Sequence, residues 1–161
     1  MSASLRAQNE SRACPGVNTL YFGYVKKNDV TTTTDDGTLI TQSDVIDLSN
    51  QGLKSIPSYV FDKTDTEELN VSNNSLTGSI QSQIGQLGNL IVLDASNNKM
   101  TGVPAEIGQL EKLEVLNLSN NQLTGLPNEL GNLKNLKILN ISGNNYSPQD
   151  LEGIKKTYLI P

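Results

Sequence analysis

The chain has 161 residues, 35% of them hydrophobic and 4% aromatic, and a formal net charge of −5. It has no histidine and a single cysteine, Cys14, which excludes an internal disulfide and a Cys–His nucleophile and argues strongly against a zinc site. The acidic balance and the lack of a basic cluster argue against nucleic acid as a partner, and no apolar run is long enough to span a membrane.

The first 42 residues precede the regular part of the chain and divide into two segments. Residues 1–16 are polar, and we expect them to be a disordered or tag-like segment in which Cys14 is a free thiol. Residues 17–42 contain the β-prone stretch NTLYFGYV, the polar stretch KKNDVTTTTDDG and the stretch TLIT. This pattern predicts two strands and a connection, which form an N-terminal cap shaped as a β-hairpin.

Residues 43–146 contain five copies of the phrase L-x-x-L-x-L-x-x-N-x-L, in which x is any residue. The copies begin at residues 43, 66, 90, 113 and 136, so they are 23, 24, 23 and 23 residues apart. The copy LEVLNLSNNQL, from Leu113 to Leu123, matches at every position. Repetition at this period predicts a solenoid, in which each unit buries its apolar face against its neighbours.

These phrases resemble leucine-rich repeats over about three quarters of the chain. VPAEIGQLEKL and LTGLPNELGNLKNL are similar to the convex halves of bacterial repeats. LTGSIQSQIGQLGNL has an extra residue and is similar to the plant-type variant, which usually has proline where this chain has Gln81. A looser similarity is to short membrane-anchored repeat proteins of uncultured bacteria. The resemblance implies an α/β fold, a segment of a right-handed horseshoe solenoid with a parallel sheet on its concave face and short helical or 3-10 returns on its convex face.

An asparagine follows the apolar run in four of the repeats, at Asn74, Asn98, Asn121 and Asn144. In the fourth repeat, Leu116 and Leu118 alternate along a short strand and point into the core. The chain must then bend, which leaves backbone N–H and C=O groups inside the solenoid without partners in the sheet. Because an asparagine side chain carries donors and an acceptor, we expect the four residues to form a structural ladder, each bonding its own turn and the next one.

The second half of each repeat predicts a short helical return. Pro104 and Pro127 suit the first turn of a helix, where the N–H group that proline lacks would be unpaired. After each proline, apolar residues recur at the i, i+3 spacing of a face turned toward the core. The first repeat has Lys63 where later repeats have leucine, so we expect a looser return there, with Phe61 filling the gap.

Residues 147–161 predict a C-terminal capping helix. Ser147 suits the N-cap position, Pro148 the first helical position and Asp150 the third. Leu151 and Ile154 recur at helical spacing and are expected to face the core.

Strand positions that point away from the core form two columns on the predicted concave face. The first column is Val45, Glu68, Val92, Val115 and Ile138, and the second is Asp47, Asn70, Asp94, Asn117 and Asn140. We expect these side chains to be exposed and to bind a protein partner, mostly through the central Val92, Asp94, Val115 and Asn117. An alternative stays open, because aspartate or asparagine followed by serine is common at these positions in the family and then serves only strand and turn chemistry.

The sequence therefore predicts a protein-interaction module without catalysis. Asp47 and Asp94 are two strands apart, or about 10 Å, which is slightly too far for the carboxylate pair of an inverting glycosidase. The phosphate-binding pattern G-x-x-x-x-G-K-[ST] and the nucleophile pattern G-x-S-x-G are both missing. We expect no cofactor, no metal and no small-molecule substrate, and we expect a monomer.

Two other interpretations stay open. In the first, the chain is a substrate-recruiting fragment of a larger enzyme or effector whose catalytic domain is missing. In the second, it is a cytosolic inhibitor. We expect a location on the cell surface or otherwise outside the cytoplasm, with an anchor that this chain lacks, and the cytoplasm is the second choice.

Overall fold

The computed structural model describes residues 31–33, 39–41 and 44–155. The segment 1–16, the stretch NTLYFGYV and residues 156–161 lie outside the described residues.

Strand β1 (Thr31–Thr33) pairs antiparallel with β2 (Leu39–Thr41), with Thr31 opposite Thr41. The sequence analysis placed the threonines of β1 in the polar stretch KKNDVTTTTDDG, as either strand or loop. They form a strand because β-branched residues favour extended backbone.

Each of the five repeats contributes one short strand to a parallel sheet, in chain order. The strands are β3 (Val45–Asp47), β4 (Glu68–Asn70), β6 (Val92–Asp94), β8 (Val115–Asn117) and β9 (Ile138–Asn140). Two further strands, β5 (Thr77–Ser79) and β7 (Lys99–Gly102), pair in parallel after the asparagine corners of the second and third repeats. The five-stranded sheet is in register throughout, so equivalent residues of neighbouring repeats lie side by side, about 4.8 Å apart.

The first four repeats return along the convex side through 3-10 helices. These helices are Ser58–Val60, Ser82–Gln86, Ala105–Gln109 and Asn128–Asn132. Pro104 and Pro127 precede their helices as N-caps with extended ψ angles of 154° and 141°, so their predicted place in the first helical turn is wrong by one residue. The Pro104 carbonyl accepts the first helical bond, from the Ile107 N–H at 3.2 Å, and the extended ψ angle directs the chain into the turn.

Gln81 takes the place that proline has in the later repeats. Its backbone angles, φ −63° and ψ 140°, are those that proline adopts. Its side-chain amide donates to the Ile56 carbonyl at 2.7 Å. The glutamine therefore keeps the backbone geometry of proline and also joins the second return to the first.

The convex helices pack so closely that glycine is required between them. A Cβ atom on Gly108 would lie 2.6 Å from the carbonyl oxygen of Glu129 and 2.9 Å from the Cβ of that residue. A side chain at this position would therefore push the third and fourth returns apart.

The core lies between the sheet and the returns and is filled mainly by leucine and isoleucine. Leu69, Leu93 and Leu116, in the middle of the three central strands, have no exposed surface. In the first repeat, Phe61 is buried in this core and Lys63 is exposed, so the predicted replacement is confirmed. The return of this repeat has three helical residues where the later ones have five.

Helix α1 (Pro148–Lys155) follows the fifth repeat and packs on the return Asn128–Asn132. The Asp150 carboxylate accepts from the Ser147 N–H at 2.8 Å and from the Ser147 hydroxyl at 2.9 Å, which stabilises the helix start. Ile154 is buried in the core. In the described part of the chain, no helix is both long enough and apolar enough to cross a membrane.

Candidate functional site

The asparagine at each corner bonds backbone groups with its whole side chain. The Nδ2 group of Asn121 donates to the carbonyls of Leu118 at 3.1 Å and Ser119 at 3.3 Å, which belong to its own turn. It also donates to the Ala95 carbonyl at 3.0 Å, and its Oδ1 atom accepts from the Met100 N–H at 3.0 Å. Asn121 therefore bonds four backbone groups at the bend, and it is the partner that the Met100 N–H has there.

The ladder runs backward along the chain. Asn74, Asn98 and Asn144 repeat the pattern of Asn121, donating to their own turn and to the strand of the preceding repeat. The sequence analysis expected each asparagine to bond the following turn, and this direction is wrong. The side chain points back because the corner that it closes lies beside the end of the preceding strand.

The second column of strand residues also has a structural role. The Oδ1 atom of Asp94 accepts from the Ser96 N–H at 2.9 Å, and the Oδ1 atom of Asn117 accepts from the N–H of Ser119 at 3.2 Å and from its hydroxyl at 2.8 Å. Asp47, Asn70 and Asn140 bond the serine two residues later in the same way. These bonds are Asx-turns, which start the bend after each strand. They support the alternative in which these residues serve turn chemistry.

The next exposed row of side chains has a backbone conformation that the sequence analysis missed. Four asparagines have positive φ angles of 54° to 58°, and Gly143 takes the same position in the fifth repeat with φ 68°. The asparagines are Asn50, Asn73, Asn97 and Asn120. Asparagine and glycine tolerate this left-handed region better than other residues do. A repeat position that holds asparagine in four repeats and glycine in the fifth could therefore have predicted this conformation. We call this exposed row the rim.

The central strand positions are buried, which contradicts the expectation that both columns are exposed. Asn70, Val92, Asp94, Val115 and Asn117 have relative exposures between 2% and 8%. Side chains on the central strands have an in-register neighbour on each side, whereas those on the edge strands have one. Lateral packing of neighbours about 4.8 Å apart removes most of their accessible surface.

The accessible part of the concave face lies on the two outer strands, at the start of β4 and along the rim. Asp47 is exposed, and Val45, Glu68, Ile138 and Asn140 are half-buried. The four rim asparagines are exposed, and the Nδ2 group of Asn120 donates to the Oδ1 atom of Asn97 at 3.0 Å. A polar, ordered row of amides therefore lies beside a floor of closely packed side chains.

Charged groups are sparse around this surface. Lys137 and Glu114, which lead into β9 and β8, form an ion pair at 2.8 Å, in which the lysine is exposed and the glutamate is half-buried. In the described residues, every buried side-chain nitrogen or oxygen has a hydrogen-bond partner, and no three histidine, cysteine, aspartate or glutamate side chains converge as metal ligands. Asp47 and Asp94 are separated by β4, and Asp94 is bonded to Ser96 and Asn117.

The repeats match known sequence families. The family described as leucine-rich repeats in two copies matches residues 88–128 and 111–156, and the single leucine-rich repeat family matches residues 65–87. Together these matches cover more than half of the chain. No curated protein matches the chain.

Solved structures of leucine-rich repeat proteins share this fold. A leucine-rich repeat protein of Leptospira interrogans is 45% identical over 65% of this chain, with a TM-score of 0.61, and the match covers 26% of that protein. The complex of BIR3 and SERK2 from Arabidopsis thaliana has 30% identity over 74% of this chain and 63% of the matched one, with a TM-score of 0.56. The ectodomain of the receptor kinase SOBIR1 from the same plant has 26% identity over 79% of this chain and 71% of its own, with a TM-score of 0.56.

The chain thus spans about a quarter of the length of the Leptospira protein. The leucine-rich repeat modules of its relatives are generally non-catalytic and serve protein interaction. Four findings point to the same family: the repeat spacing, the in-register parallel sheet, the asparagine corners and the matches over residues 65–156. The chain therefore belongs to the leucine-rich repeat family.

Proposed function

We propose that the chain is a non-catalytic interaction module that binds a protein partner on its concave side. The observation that carries this proposal is the in-register, five-stranded sheet with the rim beside it. Equivalent side chains of neighbouring repeats lie side by side, so the surface is extended and presents similar residue types in each repeat. One relative, the complex of BIR3 and SERK2, is an assembly of two proteins, which supports a protein as the partner.

The contacts of this partner fall on the accessible residues of the concave side. Asn97 and Asn120 are exposed at the centre of the rim and are held by their mutual hydrogen bond, so binding costs them little side-chain freedom. Asp47 and Ile138, on the two outer strands, and Glu68, at the start of β4, offer further contacts. Val92, Asp94, Val115 and Asn117 form the floor of the surface and fix its shape rather than supplying most of the contact area.

The proposal assigns no catalytic role, and in its support the polar groups at the centre of the sheet already serve the fold. The carboxylate of Asp94 accepts bonds from Ser96 and Asn117, and the side chain of Asn117 bonds both Asp94 and Ser119. Groups held in this way stabilise turns. Asp47 is exposed to water on the first strand.

We further propose that the protein acts outside the cytoplasm. The support is its similarity to an ectodomain, that of the receptor kinase SOBIR1. Protease treatment of intact cells of the source organism, followed by detection of the chain with an antibody, tests this location. Resistance to protease until the cells are lysed would argue for the cytoplasm.

The concave assignment is tested with variants that remove amides without changing the backbone. Asn97→Gly combined with Asn120→Gly keeps the left-handed conformation that Gly143 already shows at this position. The matched control, Asn132→Ala, removes an exposed amide from the convex side. A partner is first captured with the parent chain, and its affinity for each variant is then measured by titration.

We expect the rim variant to bind more weakly and the convex control to bind like the parent. If Asn132→Ala lowers the affinity and the rim variant does not, the partner binds the convex side and the proposal fails.

A further inference from the structure

The asparagine side chains of the rim take two different orientations. In the second repeat, the Nδ2 group of Asn73 donates to the hydroxyl of Ser72, its own neighbour in the chain, at 3.3 Å. In the third repeat, Asn97 bonds Ser96 in the same way, at 3.4 Å. Each of these two asparagines is followed, one repeat later, by another asparagine of the rim. Their side chains fold back onto their own turn.

Asn120, in the fourth repeat, is oriented along the rim instead. Its Nδ2 group donates to the Oδ1 atom of Asn97 at 3.0 Å and not to the hydroxyl of Ser119, which donates to Asn117 at 2.8 Å. The next position of the rim holds Gly143. A Cβ atom on Gly143 would collide with the Oδ1 atom of Asn120 and would lie 3.3 Å from its Cγ atom. The Oδ1 atom of Asn120 therefore occupies space that is open because residue 143 has no side chain.

The backbone at Gly143 does not itself require glycine. Its φ angle of 68° is close to the 54° to 58° of the four rim asparagines, so asparagine can adopt this conformation. Asn120 has the equivalent place beside Asn97, which shows that the rim accommodates a Cβ atom there. A side chain at position 143 would mainly displace the far end of Asn120, which can rotate away. The glycine thus controls the orientation of a neighbouring amide more than the fold of its own turn.

The orientation of Asn120 leaves a hydrogen-bond acceptor accessible on the rim. Asn120 is exposed, and in the described part of the chain no donor bonds its Oδ1 atom. The nearest polar groups of the fifth repeat are already used, because the Ser142 hydroxyl donates to Asn140 and the Ser142 carbonyl accepts from the Asn120 N–H, both at 2.8 Å. The bond from the Nδ2 group of Asn120 to Asn97 polarises the amide and strengthens its oxygen as an acceptor. The matching group on another molecule is therefore a hydrogen-bond donor.

We propose that Gly143 positions the side-chain amide of Asn120, and that the protein partner places a hydrogen-bond donor on the Oδ1 atom of Asn120. This inference rests on the proposed function, because it assigns one contact to the partner of the concave side. It adds a requirement to that partner, since a surface with only acceptors or apolar groups at this point would be rejected. It also gives a role to the change from asparagine to glycine in the fifth repeat.

The first test measures the orientation of Asn120 in the chain alone, by NMR of its side-chain amide group. Gly143→Asn gives the fifth repeat the rim residue of the other four and should turn Asn120 back onto its own turn. The amide signals of Asn120 should then move toward those in Asn97→Gly, which removes the same hydrogen bond. The control is Gly52→Asn, at an exposed glycine with φ 68° where an added Cβ atom meets nothing within 4 Å. Asn120 signals that stay unchanged in Gly143→Asn would overturn the proposal.

The second test measures binding of the purified protein that the parent chain captures. Gly143→Asn should weaken its binding by about three- to tenfold, the value of one hydrogen bond, while Gly52→Asn should bind like the parent. In an Asn120→Gly background, adding Gly143→Asn should cause little further loss, because the amide that it displaces is gone. An equal loss in both backgrounds would show that residue 143 acts on the partner directly, and this too would overturn the proposal.

The two tests also separate this inference from the proposed function. If the Asn120 amide moves in Gly143→Asn but the affinity does not change, the donor contact is wrong and the concave site still stands. The concave site itself fails only if the convex control loses affinity and the rim variant does not. Circular dichroism shows whether each variant folds. If Gly143→Asn does not fold, Gly143→Ala adds only the Cβ atom that collides with Asn120, with Gly52→Ala as its control.

Discussion

The side-chain amide of Asn121 donates to the backbone carbonyl of Ala95, 26 residues earlier, at 3.0 Å. This bond joins the corner of the fourth repeat to the residue that follows the strand of the third. Together with the bond from the Met100 N–H to Asn121, it couples the two repeats through backbone groups that no sheet partner satisfies.

Replacing the corner asparagine should therefore destabilise the fold. Asn121→Ala leaves the buried Met100 N–H and the Ala95 carbonyl without this partner, and we expect the free energy of unfolding to fall by about 1–3 kcal/mol. Urea denaturation measures the change. The control is Asn145→Ala, at an exposed asparagine just past the corner of the fifth repeat. Equal stability of Asn121→Ala and the parent would contradict the ladder.

Cavities in the core should cost more in the middle of the solenoid than at its end. Leu116 has no exposed surface, and we expect Leu116→Ala to lower the free energy of unfolding by about 2–5 kcal/mol. Leu139 is the equivalent residue of the fifth repeat and is half-buried, so Leu139→Ala should cost less. The same urea titration compares them, and a larger loss at Leu139 would show that the burial described for the last repeat is wrong.

A charge at the centre of the concave face should affect folding as well as binding. The sequence analysis placed Val115 on an exposed surface, where arginine would be harmless to the fold. Because Val115 is 5% exposed, we now expect Val115→Arg to cost about 1–3 kcal/mol through overpacking. Val45→Arg, at the half-buried position of the first strand, is the matched control and should cost less. Thermal melts of the two variants show whether Val115 is exposed or buried.

Because the rim backbone is left-handed, glycine and alanine at a rim position should differ in their effect on stability. At Asn97, with φ 54°, alanine should be less stable than glycine by about 1–2 kcal/mol, because a Cβ atom is strained in this region and alanine lacks the short polar side chain that lets asparagine adopt it. Chemical denaturation of Asn97→Gly and Asn97→Ala measures the difference. If alanine is as stable as glycine, the backbone at this position is not left-handed in solution.

Removal of metal should not affect stability. In the part of the chain that the structure describes, no cluster of metal-ligating side chains occurs, and the corners are held by side-chain amides. The melting temperature should therefore be the same with and without EDTA. A drop that added calcium or zinc reverses would reveal a metal site.

Much of the fold follows from repeated residue types in the sequence. The alternation of Leu116 and Leu118 predicts a strand with one buried face, and the recurrence of its pattern every 23 or 24 residues predicts the in-register sheet. The need for Phe61 in the first return is also visible, because Lys63 cannot fill the core. These features depend on residues within one repeat and on the period between repeats.

What the sequence does not predict depends on contacts between repeats. The burial of Val92 results from its neighbours on β4 and β8, which a pattern within one strand does not reveal. The requirement for glycine at Gly108 comes from the approach of Glu129 in the next return. The direction of the asparagine ladder depends on which strand end lies nearest to the corner. For the concave site, the sequence identified the columns but not which of their members stay accessible.

The backward direction of the ladder has a consequence for synthesis on the ribosome. The Met100 N–H group pairs with the side chain of Asn121, and the Leu123 N–H group pairs with that of Asn144. Each repeat therefore emerges with its corner incomplete and is locked only when the following repeat has left the exit tunnel. We expect each repeat of the nascent solenoid to become protease-resistant only after the following repeat has emerged.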